Sequence, residues 1–78
     1  MQVECEATIE REDEENAWVR WKLTPAGGGA AIAEGRVRYD LETVQFHWEE
    51  GRPPDDQMFL VRTTVDRAVR GRKGGGNS

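Results

Sequence analysis

The sequence predicts an α+β fold: a four-stranded antiparallel β-sheet, a meander of two hairpins, with a C-terminal helix packed on one face. Two observations support this fold. The segments 2–10, 17–24, 36–41 and 44–49 alternate apolar and polar residues with the period of two that is typical of strands. The segment 55–70 instead places apolar residues at helical spacing.

The first two segments form the first hairpin, joined by the charged loop 11–16. Each strand has one apolar face, so opposite residues must have numbers of the same parity if apolar side chains are to meet. Registers in which these numbers add to 26 or to 28 both satisfy this condition and place acids opposite bases on the other face. Both registers therefore stay open. The apolar faces comprise Val3, Cys5, Ala7 and Ile9 on one strand and Ala17, Val19, Trp21 and Leu23 on the other.

The third and fourth segments form a second hairpin, whose apolar residues change from odd to even numbers between Leu41 and Val44. This change requires a tight turn or a bulge. We expect a turn at Glu42-Thr43, although neither residue favours positive φ. Pro25 ends the second strand, and 26–31, which holds three consecutive glycines, is expected to be a flexible connection.

The C-terminal segment is expected to form a helix capped by Asp55 or Asp56 and followed by Gly71. An alternative remains open, because the same residues also alternate from Phe59 to Val65. That alternation would give an all-β fold with a fifth strand at about 58–66. The helical pattern places on one arc, about 100° wide, the residues Met58, Val61, Val65, Ala68 and Val69.

A chain of 78 residues forms one domain, predicted at 1–73, with a disordered tail at 74–78. A core of this size gives little stability, so a partner subunit is a reasonable expectation. Cys5 is the single cysteine and cannot form an internal disulfide. A lone cysteine, without an apolar signal segment or membrane span, predicts a cytoplasmic protein.

Residue types that carry chemistry are few. His47 is the only histidine, and no nucleophile motif accompanies it. Zinc needs three or four ligands, which one histidine and the inward-facing Cys5 do not supply. We therefore expect no enzyme activity, metal, cofactor or small-molecule substrate.

Charge is distributed unevenly around a net value of -4. Residues 1–15 hold seven acids and one base, whereas the last twelve hold four bases and no acid. The acidic stretch is either a solvated loop or a row of carboxylates that resembles nucleic-acid phosphates. Trp18 lies on the polar face of its strand and could anchor a contact. The predicted partner-binding residues are Glu4, Glu6, Glu10, Glu12, Asp13, Glu14, Glu15 and Trp18.

These features predict a small acidic, non-enzymatic interaction protein, an inhibitor or accessory factor of the nucleic-acid-mimic type. Its expected partner is a basic, nucleic-acid-binding protein. One alternative is a structural subunit of a homo- or hetero-oligomeric assembly. Another is direct binding of nucleic acid by the basic C-terminal residues Arg62, Arg67, Arg70, Arg72 and Lys73.

Overall fold

The computed structural model describes residues 2–77, with side chains described as far as Gly71. Four antiparallel strands lie in the order β1-β2-β3-β4, and one helix follows them. The predicted α+β fold is confirmed, and the alternative fifth strand is wrong because 58–66 is helical. The elements are β1 (Val3–Glu12), β2 (Asn16–Pro25), β3 (Ala33–Asp40), β4 (Gln45–Glu50), a 3₁₀ turn (Asp55–Gln57) and α1 (Met58–Asn77).

A β-bulge at Glu10 sets the register of the first hairpin. Below the bulge Cys5 lies opposite Leu23, so the numbers of opposite residues add to 28 and the register at 26 is wrong. Above the bulge Arg11 lies opposite Trp18, and the sum becomes 29. The turn explains this change. The Asp13 N–H donates to the Asn16 carbonyl at 2.8 Å, so the numbers of opposite residues next to the turn add to an odd value. The extra residue in β1 shifts the pairing by one, so that the turn can close while the apolar residues below the bulge still face one another.

The second hairpin closes through a four-residue turn, Leu41–Val44, and not through the expected two-residue turn. The Asp40 carboxylate accepts hydrogen bonds from the backbone N–H groups of Glu42 and Thr43, at 2.9 and 3.0 Å. The Val44 N–H donates to the Asp40 carbonyl at 2.9 Å, with Val44 at φ 59°. A β-branched residue is unfavourable in this left-handed conformation. This turn therefore explains why the apolar residues change from odd to even numbers between the two strands. It also leaves the backbone of Val44 strained.

The core lies between α1 and one face of the sheet, which we call the core face. Gly35 allows Trp21 to fit there, because a Cβ at this position would lie 2.9 Å from Cζ2 of the indole and would also collide with the Glu50 carbonyl. Valines four residues apart give α1 its buried stripe. The buried residues are Ala17, Val19, Trp21, Leu23, Val37, Tyr39, Val61, Val65 and Val69.

The helix begins and ends differently from expectation. Asp55 and Asp56 lie inside the 3₁₀ turn and do not cap it, since Pro54 occupies the N-cap position. The helical backbone continues past Gly71 to Asn77. The disorder predicted for 74–78 overlaps this end of α1 and stays a prediction; Ser78 lies outside the described residues. Within 2–77, no helix has the length and apolar character needed to cross a membrane.

Candidate binding surfaces

The outer face of the sheet, opposite the core face, carries part of the predicted acidic site. Glu4 and Glu6 are exposed on β1, and Glu14 and Glu15 are exposed in the turn to β2. None of these four forms an ion pair with a side chain within 2–71. These four carboxylates are available to a partner.

Glu10 is engaged within the sheet. Its carboxylate accepts hydrogen bonds from Nε of Arg20 at 3.0 Å and from Nε of Arg36 at 2.7 Å. The bond from Arg20 is the largest cause of a lowered pKa at Glu10. Arg36 also pairs with Glu50 at 3.1 Å, and Arg38 pairs with Glu49 at 3.6 Å. The outer face is therefore a mixed-charge network, which reduces its resemblance to a row of phosphates.

The other two acids of the predicted site have local roles. Glu12 lies opposite the buried Ala17, on the core face, and is half-buried. The Asp13 carboxylate accepts hydrogen bonds from the backbone N–H groups of Glu15 and Asn16, at 2.8 and 2.7 Å. These bonds, the one from Asn16 first, lower the pKa of Asp13 and hold the turn. The seven predicted acids thus do not form one continuous surface.

Trp18 lies on the outer face and has a neighbour that the sequence did not reveal. The bulge places Arg11 on the same face, where its guanidinium lies 3.9 Å from the centre of the indole ring. This cation–π contact covers part of the ring. A shallow hollow of about 280 Å³ beside it is lined by Glu10, Arg11, Trp18, Arg36 and Glu49.

A second surface lies on the core face, where the helix leaves part of the sheet open. The helix packs mainly on β1 and β2, so β4 is left at the side. Phe46 and Trp48 on β4 are only half-buried, and Phe59 on the helix flank is 81% exposed. Two hollows, of about 330 and 350 Å³, lie between β4 and α1. We call this surface the aromatic groove; it is lined chiefly by Val44, Phe46, Trp48, Met58, Phe59 and Arg62.

The floor of the aromatic groove is continuous with the core. Trp48 meets the buried Trp21 edge-on, with ring centres 6.1 Å apart, and Phe46 meets Tyr39 edge-on at 5.0 Å. Phe46 and Trp48 lie nearly parallel, 5.9 Å apart. Rings fixed in this way form a rigid apolar platform that loses little entropy when it is covered.

The wall of the groove formed by α1 is positively charged. The Arg62 guanidinium lies 5.1 Å from the centre of the Phe46 ring, between the two hollows. Among the described side chains, Asp66 is the only acid that lines either hollow; it accepts a hydrogen bond from the Tyr39 hydroxyl at 2.6 Å and pairs with Arg70 at 2.8 Å. Arg52 lines the end near Met58. Charge and aromatic surface therefore coincide here.

The five predicted nucleic-acid-binding residues are only partly brought together. Arg62 and Arg70 line the groove, while Arg67 is exposed and lines neither of its hollows. The side chains of Arg72 and Lys73 lie outside the described ones.

Potentially reactive residues lie apart from the groove. His47 lies opposite Arg38 in the sheet, on the outer face of β4. Cys5 is half-buried on the core face of β1, and its burial raises the pKa of the thiol, which disfavours the reactive thiolate. Within residues 2–77 no three His, Cys, Asp or Glu side chains are grouped so as to hold a metal ion.

Sequence reasoning missed the aromatic groove, although a geometric signal was present. The alternation of 44–49 puts Phe46 and Trp48 on the apolar face of their strand. A helix is about 10–12 Å wide and strands lie about 4.8 Å apart, so one helix covers about two strands. A four-stranded sheet with one helix is therefore expected to leave an outer strand incompletely covered, as Phe46 and Trp48 on β4 are.

No protein-family model, curated protein or solved structure matches this chain, so no family assigns a role to the aromatic groove or to the acids of the outer face.

Proposed function

We propose that this protein is a small, non-enzymatic interaction protein that binds a partner protein in the aromatic groove. One observation carries the proposal: α1 packs mainly on β1 and β2, and the hollows beside β4 are lined by Phe46, Trp48 and the 81% exposed Phe59. Clustered aromatic side chains with a nearby arginine are typical of the central contacts in protein interfaces.

The groove is a better binding surface than the acidic stretch for a physical reason. Glu10 and Asp13 already satisfy internal partners, so a ligand would have to compete for them. Phe46 and Trp48 are only partly buried, and covering them gains about 25 cal/mol for each Å² of apolar surface removed from water.

Two groove variants and one matched control test the proposal. Phe59→Ser removes an exposed phenyl ring, and Arg62→Glu reverses the charge of the wall. Ile32→Ser is the control, because Ile32 is another exposed large apolar residue, at 44%, in the β2–β3 loop away from the groove. Each immobilised protein is incubated with lysate of the source organism, and retained proteins are quantified by mass spectrometry. Circular dichroism verifies that each variant is folded.

We expect at least one protein that wild type and Ile32→Ser retain and that both groove variants lose. Equal retention by all four proteins would refute the groove as the binding site. If the retained species is a second copy of this chain, a concentration-dependent mass in light scattering will reveal it, and the function becomes that of a structural subunit.

A second candidate is capture of a basic, nucleic-acid-binding protein by the acids of the outer face and the adjoining turn. It is favoured by one observation, the exposure of Glu4, Glu6, Glu14 and Glu15 without ion pairs to side chains within 2–71. Glu14→Lys/Glu15→Lys tests it in the same assay. This candidate requires the double variant to lose a partner that Phe59→Ser retains.

A further inference from the structure

We infer, relying on the proposed function of the aromatic groove, that its ligand is an extended peptide segment with acidic side chains, which adds to the free edge of β4 as a fifth strand. The inference combines the position of β4, the alternation of side chains along a strand and the charge of the groove wall.

The outer edge of β4 is open. β4 is the last strand of the sheet, and no segment within 2–77 pairs with its second edge. Just after Glu50 the chain still lies beside β3, where a Cβ on Gly51 would lie 2.8 Å from the Glu34 carbonyl. An edge strand presents N–H and C=O groups at every second residue, and these groups can pair with another chain.

A strand added to this edge would place alternate side chains over the groove. Side chains on one face of a strand repeat at about 6.6–6.8 Å. Phe46 and Trp48 have ring centres 5.9 Å apart, so successive inward side chains of the ligand would each meet one ring. Apolar and β-branched side chains pair well with aromatic rings across neighbouring strands. The inner positions of the ligand are therefore apolar.

Charge complementarity makes the ends of the ligand acidic. Of the side chains within 2–71, three arginines, Arg52, Arg62 and Arg70, line the two hollows, against one acid, Asp66. Arg70 is paired with Asp66, whereas Arg52 and Arg62 form no ion pair with any side chain within 2–71. The groove is thus a basic site on a protein whose net charge is -4. One or two carboxylates placed near Arg52 and Arg62 would complement it.

A single-stranded nucleic acid, the other ligand that aromatic rings and arginines accept, fits less well. It carries one negative charge per nucleotide along its whole length. The net negative charge of the protein would repel it along that length. A peptide can confine its charge to the positions that face arginines.

A set of seven-residue peptides tests the inference by fluorescence anisotropy. The first is Asp-Thr-Val-Thr-Val-Thr-Asp, in which valines and aspartates share one face. The second replaces both aspartates by lysine. The third keeps the side chains of the first but carries N-methyl groups on alternate residues, which prevents strand pairing. A fluorescent single-stranded oligothymidine is the nucleic-acid probe, and Arg62→Glu is the matched protein variant.

We expect the aspartate peptide to bind wild type about tenfold or more tightly than the lysine peptide. Arg62→Glu should reverse this preference. The N-methylated peptide should also bind about tenfold or more weakly, because it cannot donate to the edge of β4.

Three results would overturn the inference: no binding of the aspartate peptide at millimolar concentration, equal binding of its N-methylated form, or tighter binding of oligothymidine. Lysate retention separates this inference from the proposed function. If Phe59→Ser loses a retained protein and no peptide binds, the function stands and the peptide class is wrong.

Discussion

The two halves of the core face are built from similar strands but differ in how far their side chains are buried. On β2 and β3, Val19, Trp21, Leu23 and Val37 are completely buried. On β4, Phe46 and Trp48 are only partly buried and form the floor of a groove. The difference teaches that alternation along a strand identifies an apolar face, whereas the width of the covering layer decides which part of that face becomes core.

The largest expected difference between the halves is in their contribution to the free energy of unfolding. Substitution of one tryptophan in each half measures this difference. Trp21→Ala should lower the free energy of unfolding by about 3–5 kcal/mol, because Trp21 is fully buried. Trp48→Ala should cost about 1–2 kcal/mol, since Trp48 is only partly buried. Urea unfolding followed by circular dichroism gives both values. Equal losses would show that β4 belongs to the core and would remove the distinction between the halves.

Tyr39 lies at the boundary between the halves, and its hydroxyl donates to Asp66 at 2.6 Å. Tyr39→Phe should lower the free energy of unfolding by about 1.5 kcal/mol at neutral pH, the low end for a hydrogen bond to a charged group.

Tyr39 should also make the stability of the fold depend on pH. Burial first, and then the bond to Asp66, raises the pKa of Tyr39 above its ordinary value of 10.0. The folded state therefore holds the phenol proton more tightly, and this stability is present below pH 10.0 and is lost as pH rises through the raised pKa. Tyr39 is the only tyrosine, so ultraviolet absorbance titrates it directly. Wild type should lose stability above pH 10.0 more steeply than Tyr39→Phe does; parallel losses would exclude this role.

Val44, at the rim of the open half, is held at φ 59°. Asparagine tolerates this conformation, so Val44→Asn should stabilise the fold by about 1 kcal/mol, or about 4–8 °C in Tm. Glu42→Asn, in the same turn, is the control and should change the free energy of unfolding by less than about 0.5 kcal/mol. A lower Tm for Val44→Asn would show that the valine side chain contributes more by packing than the turn loses by strain.

The smallest effect is expected on the outer face, away from both halves. Glu10 has a lowered pKa, chiefly through the hydrogen bond from Arg20. Its contribution to stability is therefore present above its ordinary pKa of 4.5 and is lost as pH falls through the lowered value. Glu10→Gln should weaken the fold slightly at neutral pH and make no difference in strong acid. Chemical unfolding at both pH values tests this, and an equal effect at both would exclude the ion pairs as its cause.

Much of the fold could be predicted from the sequence because it depends on local periodicity. Alternation located the four strands, and the helical spacing of Val61, Val65 and Val69 located α1. The bulge at Glu10 could not be predicted, since it follows from a conflict between the turn and the apolar face. The choice between the two registers of the first hairpin depended on the same conflict between the turn and the apolar face.

The aromatic groove depends on a quantity that periodicity does not contain, the sideways position of the helix on the sheet. Trp18 was noticed because it interrupts a polar face, but its contact with Arg11 depends on the bulge. Phe59 lies outside the apolar arc of α1 and gave no helical signal.

The most direct test of the central claim, that the open half of the core face is the binding surface, is a nuclear magnetic resonance titration of the three indole N–H signals. These report on Trp18 on the outer face, Trp21 in the core and Trp48 in the groove. Addition of the aspartate peptide should shift the Trp48 signal most, the Trp21 signal less and the Trp18 signal not at all. A shift of Trp18 with an unchanged Trp48 signal would contradict the claim and move the binding surface to the outer face.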